Sequence, residues 1–483
     1  MHVVPDRLAH RVLVVAAVAL IVALVALTAF RVTRAWPREA HLNYVEGIWI
    51  GLAIDTSQGT LYRPLDGPLG YGGTRYFPLF FTIHGGLIRA GINPIVAGYT
   101  LSALSVALLV TSVFVFLRRL HVDAIVASLA AAVTLACQPV QMALLGIRGD
   151  ALPAAFALLG LSASVSTGRL APAAVLFTLA FATKSTSIYA AVAAVGFFAV
   201  TGRRRDAIRL GLMVLVGMAA TVAIMEVASG GRALSTIAAS AGGGSGLASV
   251  LGAPVSFARI LRRVPESTFF IQLGAAVLLV RLLRPASVAE VGWLLSLGAT
   301  LVIYASPATI ENHLVDLTAL SVVVVASLAG SLRSSPIAAP AVLAVLIAGG
   351  VAAGSSAVWR SATLDTADLR SSREAVLRAI GPASDRMFAD NPMLAASART
   401  SPYLLDPYMF SVRLARDPRA LSRLNDDVAR LAFEVIVLEH VKFDRPEVET
   451  FPGGTFGAFR STVLEHYRLD AVVENRDIYR PRR

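Results

Sequence analysis

The chain has 483 residues and a formal net charge of +12, with 56% hydrophobic and only 15% charged residues. Soluble domains carry about 25% charged residues, so this composition excludes a soluble globular enzyme and defines a polytopic membrane protein. The basic surplus does not point to nucleic acid, because blocks such as Arg203-Arg204-Arg205 stand at the ends of apolar segments, where signals of membrane orientation belong.

The first apolar stretch, Val12 to Phe30, follows Arg7 and Arg11. A secretory signal has this layout, but no small-residue cleavage site stands in front of Arg31, so the stretch reads as a retained anchor. Further stretches at 94–117, 122–138, 150–166, 171–183, 185–201, 207–228, 268–283, 288–305, 313–331 and 337–356 bring the predicted spans to about eleven. Continuous apolar runs of this kind cross about 30 Å of hydrocarbon as helices, whereas a closed barrel would show short alternating segments. Arg7/Arg11, Arg118/Arg119, Arg169, Arg203 to Arg205, Arg281/Arg284 and Arg333 fall in alternate short loops, which the positive-inside rule assigns to the cytoplasm. The arginines of loops 31–93 and 229–267 dissent, in loops long enough for the rule to lose force. The expectation is a multi-pass plasma-membrane protein with a cytoplasmic N-terminus and everything after Trp359 outside.

Loop 31–93 holds the first concentration of chemistry. Glu39, Glu46, Asp55 and Asp66 lie in it, and Asp150 begins a span on the same outer face. Ionisable groups gathered at a membrane boundary call for a functional hypothesis. In "YVEGIWIGLAI" the apolar Val45, Ile48, Trp49, Leu52 and Ala53 have helical spacing. They predict a helix lying flat in the interface, with Trp49 at the headgroups and Glu46 held at fixed depth near its start. "GTLYRPL" and "GYGGTRYFPL" follow, with glycines that permit tight turns close to a ligand. Tyr44, Tyr62 and Tyr76 are the candidate substrate-binding aromatics here. The plain alternative is a capped interfacial helix with a Gly/Pro loop.

The single cysteine, Cys137, sits inside an apolar run and excludes an intrachain disulfide. Neither HExxH nor a paired His/Cys cluster occurs, so no metal and no other cofactor is expected. Loop 229–267, with "SAGGGSG", reads equally as a mobile flap or a slack connection. Beyond residue 360 the pattern changes: 18 of the 31 acidic residues lie there, and short apolar runs such as "FEVIVLEHV" and "DAVVENRDIY" alternate with turn formers. This predicts a transmembrane domain over 1–358 and a small soluble α/β domain over 359–483 on the outer face.

Taken together, the first span, the acidic outer loop, the "GTLYRP" and "YFPL" elements, the many later spans and the outer domain resemble the polyprenyl-phosphate-sugar-dependent glycosyltransferases of the GT-C superfamily. That group contains protein O-mannosyltransferases and aminoarabinose transferases of lipid A. The similarity is one of layout and covers nearly the whole chain. It implies a GT-C-like helical membrane fold and places the catalytic loop acid at Glu46. The family's Asp-Glu pair is Val45-Glu46 here, which makes Asp55 the fallback. "GIRGDALPAAFALLGL" resembles the family's Arg-x-Asp entry into a span, offering Arg148 and Asp150. "FATKSTSIYA" resembles its Lys-bearing turn, which puts Lys184 near the donor phosphate.

Lys184 is one of two lysines among 43 basic residues; its plain reading is a snorkelling cation, and that of Arg148/Asp150 a structural ion pair. In the functional reading Lys184, with Arg75 or Arg148, holds the leaving phosphate. Glu46 takes the proton of an acceptor hydroxyl, Asp150 orients Glu46 or the acceptor, and His313 of "SPATIENHLVDL" lines the donor's entry. The expected partners are a polyprenyl-phosphate-linked sugar and a cell-envelope glycan, lipid or protein acceptor. The alternative is a membrane transporter or flippase, which predicts ionisable positions at mid-bilayer and a repeat relating two halves; neither is evident in the sequence.

Overall fold

The computed structural model describes residues 7–165, 170–240, 246–281, 287–306, 309–332, 337–381, 386–417, 419–440 and 456–482. The topology arginines Arg169, Arg284 and Arg333, and residues 241–245 of the "SAGGGSG" stretch, lie outside the described residues. The fold is that of a polytopic helical membrane protein with a small C-terminal sheet.

Every predicted span falls on a helix: Arg7–Ala35, Pro94–Arg119, Ala124–Ala136, Ala151–Val165, Leu170–Thr183, Ile188–Val200, Arg204–Ser229, Pro265–Arg281, Val288–Ile303, Val315–Ser331 and Ala338–Thr363. Lengths are less uniform than the sequence suggests. Among the described residues five helices are long and apolar enough to cross a membrane alone, or six if one bent pair counts as a single span. At 1.5 Å per residue, the 14-residue helix Leu170–Thr183 is about 21 Å long, short of the hydrocarbon thickness.

The bent pair is Ala124–Ala136 and Gln138–Leu145, which meet at 64°. Pro139 causes the break: it has no N–H for the carbonyl four residues back, and its ring would clash there. The carbonyl thus released, that of Leu135, accepts from the Gln141 side-chain amide at 2.6 Å. One polar side chain therefore satisfies the backbone group that the bend exposes inside an apolar core.

Two compact units emerge. The first comprises Met1–Trp36, Ser102–Val222 and Ser245–Thr366. Its core is rich in small side chains, with Ala130, Ala154, Ala190, Ala319 and Ala353 fully buried, which lets helix backbones approach closely. A buried fork joins the first helix to the segment after the last: Arg31 Nε and Nη2 donate to Asp365 Oδ2 and Oδ1 at 2.8 and 3.0 Å. Arg360 pairs with Glu266 at 3.2 Å.

The second unit comprises Pro37–Leu101, Ala223–Gly244 and Ala367–Arg483. Its sheet has the order Met387–Ala389, Val435–Glu439, Arg476–Pro481, Tyr467–Val473. The first pair is parallel and the others antiparallel. The two apolar runs noted after residue 360 supply three of these strands. One sheet face carries Met387, Ala389, Val435 and Val437 into a core with Val376 and Leu394. The other carries Phe388 into an aromatic cluster with Tyr403, Phe433 and Phe459 at centroid distances of 5.8, 5.5 and 5.1 Å.

The opening loop is built into this second unit. Helix Tyr44–Ser57 is buried without interruption from Glu46 to Asp55, and Trp49 packs on Tyr76 and Phe80 at 4.2 and 5.2 Å. The expected interfacial helix with one apolar face and Trp49 at the headgroups is thus corrected. Ile50, Ala53 and Ile54 are buried along with Ile48 and Leu52, so protein encloses all sides of the helix. Gly47 makes one of these contacts possible: a Cβ there would lie 2.3 Å from the Met393 nitrogen. Gly47→Ala should therefore destabilise the protein by about 1–3 kcal/mol, as overpacking against fixed backbone does, and thermal unfolding of the purified variant checks it.

Candidate functional site

In the second unit, the first site residue is placed by a helix start. Asn43 caps helix Tyr44–Ser57 by accepting from Val45 N at 2.9 Å, and its own N–H donates to Glu46 Oε2 at 2.8 Å. This reciprocal capping box holds the Glu46 carboxylate in one position, with the residue fully buried. Tyr44, beside it, is 40% exposed.

Asp55 has a different environment. Its Oδ2 lies 3.5 Å from Arg63 Nε, and Ser401 donates to its Oδ1. Burial pushes its pKa up against the opposing effects of Arg63 and Ser401, and burial likewise lowers that of Arg63. Arg63 also donates to the carbonyls of Leu69 and Pro402 at 2.7 and 2.5 Å. This pair ties the "LYRP" turn to residues 401–405, which is a structural task.

The neighbouring hairpin continues the tie. Tyr71 N donates to Tyr403 O at 2.9 Å and Leu405 N to Tyr71 O at 3.1 Å, while Arg413 grips Asp66 with both nitrogens at 2.9 and 2.6 Å. Gly70, at φ +85°, lies so close to Tyr403 that a Cβ would sit 2.2 Å from its carbonyl oxygen. Tyr62 is buried and donates to Tyr76 O at 2.8 Å, so both tyrosines hold the loop together.

Arg75 lies with its guanidinium 5.9 Å from the Tyr408 ring centroid and within electrostatic reach of Asp406. Asp406 caps helix Pro407–Arg416, accepting from Met409 N at 3.0 Å. Burial, the largest influence, raises its pKa from 3.8 to about 6; Arg75 and the Met409 and Tyr408 amides pull the other way. Between those two values the folded protein keeps a proton that the unfolded chain has released, so this group's stabilisation is complete below pH 4 and is lost as pH rises through 6. A shift of that size is worth about 3 kcal/mol at most. Asp406→Asn keeps the cap acceptor and removes the titration, so its melting temperature relative to the wild type should rise between pH 4 and pH 7. An offset constant with pH would show that Asp406 does not titrate there.

In the first unit, three of the predicted residues come together. Lys184, in the break between helices Leu170–Thr183 and Ile188–Val200, donates to Asp150 Oδ1 at 2.8 Å and to His313 Nδ1 at 3.3 Å. Lysine only donates, so this contact is a hydrogen bond only in the tautomer that leaves Nδ1 free to accept. Asn312 donates to Asp150 Oδ2 at 2.6 Å, and His313 Nδ1 lies 3.9 Å from Asp150 Oδ1. Asp150 opens helix Ala151–Val165, with Arg148 buried two residues earlier. Lys184 and Asn312 thus engage both oxygens of Asp150, which was expected to orient Glu46 or the acceptor. One turn beyond His313, Asp316 accepts from the Tyr189 hydroxyl at 2.8 Å. This second layer was not assigned from the sequence; the i,i+3 spacing of His313 and Asp316 on one helical face was the available signal. Among the described residues no group of three or more His, Cys, Asp or Glu is placed to hold a metal ion.

The architecture is shared with proteins of known structure. Among solved structures, the chain is similar to ArnT from Cupriavidus metallidurans bound to undecaprenyl phosphate, with a TM-score of 0.60 and 13% identity over 94% of this chain and 97% of that one. It is also similar to an oligosaccharyltransferase from Archaeoglobus fulgidus in complex with zinc and sulfate, with a TM-score of 0.51 and 13% identity over 86% of this chain and 68% of that one. At such identities the likeness is one of fold. No protein-family model and no curated protein matches the sequence.

Proposed function

We propose that the chain is an integral membrane glycosyltransferase that moves a sugar from a polyprenyl-phosphate donor to a cell-envelope acceptor on the extracytoplasmic face. The observation that carries this reading is the Lys184–Asp150–His313 cluster, a cation held ready among buried polar groups in a fold shared with an enzyme whose structure contains undecaprenyl phosphate. Such a donor presents an anionic phosphate at headgroup depth, and a positioned ammonium offsets the charge that grows on it as the glycosidic bond breaks.

In this reading Lys184, with Arg148, binds the donor phosphate. The acceptor oxygen attacks the anomeric carbon in line, the bond from that carbon to the phosphate oxygen breaks, and Glu46 takes the acceptor's proton. The anomeric configuration inverts and polyprenyl phosphate leaves. Because the phosphate is itself a competent leaving group, no second carboxylic acid is required, unlike in a glycoside hydrolase. Arg75 remains a further candidate for the donor phosphate, and Tyr44 and Tyr76 would line the acceptor's approach, with residues 359–483 outside the membrane.

The test is incubation of the purified protein in native-lipid proteoliposomes with a panel of radiolabelled polyprenyl-phosphate sugars and a cell-envelope extract. One donor should lose its label to a product that no longer partitions with polyprenol. If every donor is recovered intact, the reading is overturned.

A further inference from the structure

The second unit contains a cavity that none of these roles uses. It has a volume of about 160 Å³, well below the ~300–1,000 Å³ of pockets for drug-sized ligands, and so admits one small ring. Its place in the fold is informative. Asp390 directly follows strand Met387–Ala389, and Val437 belongs to the parallel neighbour Val435–Glu439, so the cavity lies beside the carboxyl end of the first strand of a parallel pair, a position at which open α/β sheets bind ligands. Asn43, the cap residue that holds Glu46, forms part of its wall.

The lining has two characters. Leu42, Val376, Leu394 and Val437 give apolar surface, while Arg373, Arg476, Asp390, Asn391 and Ser372 give polar groups. The charges balance locally. Arg476 donates to Asp390 Oδ1 at 2.9 Å, Asp390 Oδ2 accepts from Glu439 N at 2.7 Å, and Arg373 is paired with Glu39. An anion entering here would have to break one of these pairs, so a phosphate or carboxylate ligand is disfavoured. An uncharged ring with apolar faces and hydroxyl edges suits the cavity better: its faces lie on the aliphatic residues while its hydroxyls bridge guanidinium and carboxylate. One further polar atom awaits a partner there. Arg373 Nε is buried and makes no hydrogen bond, a deficit that a ligand hydroxyl oxygen would remove.

We propose that this cavity binds a neutral sugar ring, as a subsite for a non-reacting unit of a glycan acceptor. The assignment to the acceptor rests on the transferase reading; the binding of a neutral sugar does not.

The experiment uses the full-length protein in nanodiscs and ligand-observed saturation-transfer NMR. The probes are methyl α-D-mannopyranoside, methyl β-D-glucopyranoside and methyl β-D-galactopyranoside, with methyl β-D-glucuronide and acetate as anionic counterparts. The blocking variant is Ser372→Trp. Leu369→Trp, three residues earlier on helix Leu369–Ile380, serves if the first does not fold as judged by gel filtration. At least one neutral glycoside should give a signal that falls fivefold or more in the blocked protein, and the anionic probes should give none that responds to blocking. The inference is overturned if no neutral glycoside binds, if binding is unchanged by the tryptophan, or if only the anionic probes respond. None of these results depends on sugar transfer, so failure of the glycoside to bind and failure of the donor to react are distinguishable.

Discussion

Glu46→Gln should lower sugar transfer by about 10² to 10⁴-fold, the range that general acid–base catalysis contributes, with the melting temperature nearly unchanged. The capping box is the reason. Glu46 meets the Asn43 N–H through one oxygen at 2.8 Å, and glutamine at this position completes the same box with its amide oxygen. The substitution therefore preserves the helix start and its burial while deleting the group that accepts a proton. Donor affinity should also be retained, because phosphate binding falls to Lys184 in the proposed mechanism. Asp55→Asn provides the contrast. It leaves the buried Arg63 guanidinium without its counter-charge, and loss of one partner of a buried pair costs about 3 kcal/mol or more. That variant should lose stability first and transfer only in proportion to the unfolded fraction. Initial rates of transfer measured beside thermal melts separate the two. A Glu46→Gln protein with wild-type rates would remove the residue from the chemistry.

The legibility of this chain divides along the range of the interactions involved. Helix positions were readable because a long apolar run must form its backbone hydrogen bonds internally in lipid, and every predicted span has a helix. Span length was less readable: the bend at Pro139 depends on Gln141 turning back to cap a carbonyl, a contact that no local pattern announces. The burial of helix Tyr44–Ser57 was misread for a related reason. Its Ile and Ala residues occur on all faces, and the partners that cover it, Pro392, Met393 and Pro402, lie some 340 residues away. In the candidate site, Lys184 was visible through its rarity, and Asp150 and His313 through their positions at span ends. Their convergence was not, since Asp150, Lys184 and His313 lie on three chain segments 34 to 163 residues apart. The same holds for Asp55, whose partner Ser401 no local pattern announces.

The second large effect is expected at Lys184, where folding and function are superimposed and a pair of substitutions separates them. Lys184 and Asp150 have side chains only 17% and 8% exposed. Lys184→Met strands the Asp150 carboxylate with Asn312 as its remaining donor, and an uncompensated buried charge costs about 3–5 kcal/mol. The single variant should consequently melt well below the wild type and fail to bind polyprenyl phosphate. Adding Asp150→Asn removes the stranded charge while keeping an oxygen that accepts from Asn312, so the double variant should recover most of the lost stability, a coupling of the sign that neighbouring charges show in a double-mutant cycle. Donor binding should not recover with it, because the ammonium that meets the phosphate in the proposed mechanism is still missing. Melting curves and binding of polyprenyl phosphate, measured on the wild type, both single variants and the double, give the full cycle. If stability and lipid binding return together in the double variant, Lys184 serves only to neutralise Asp150, and the phosphate must be held elsewhere.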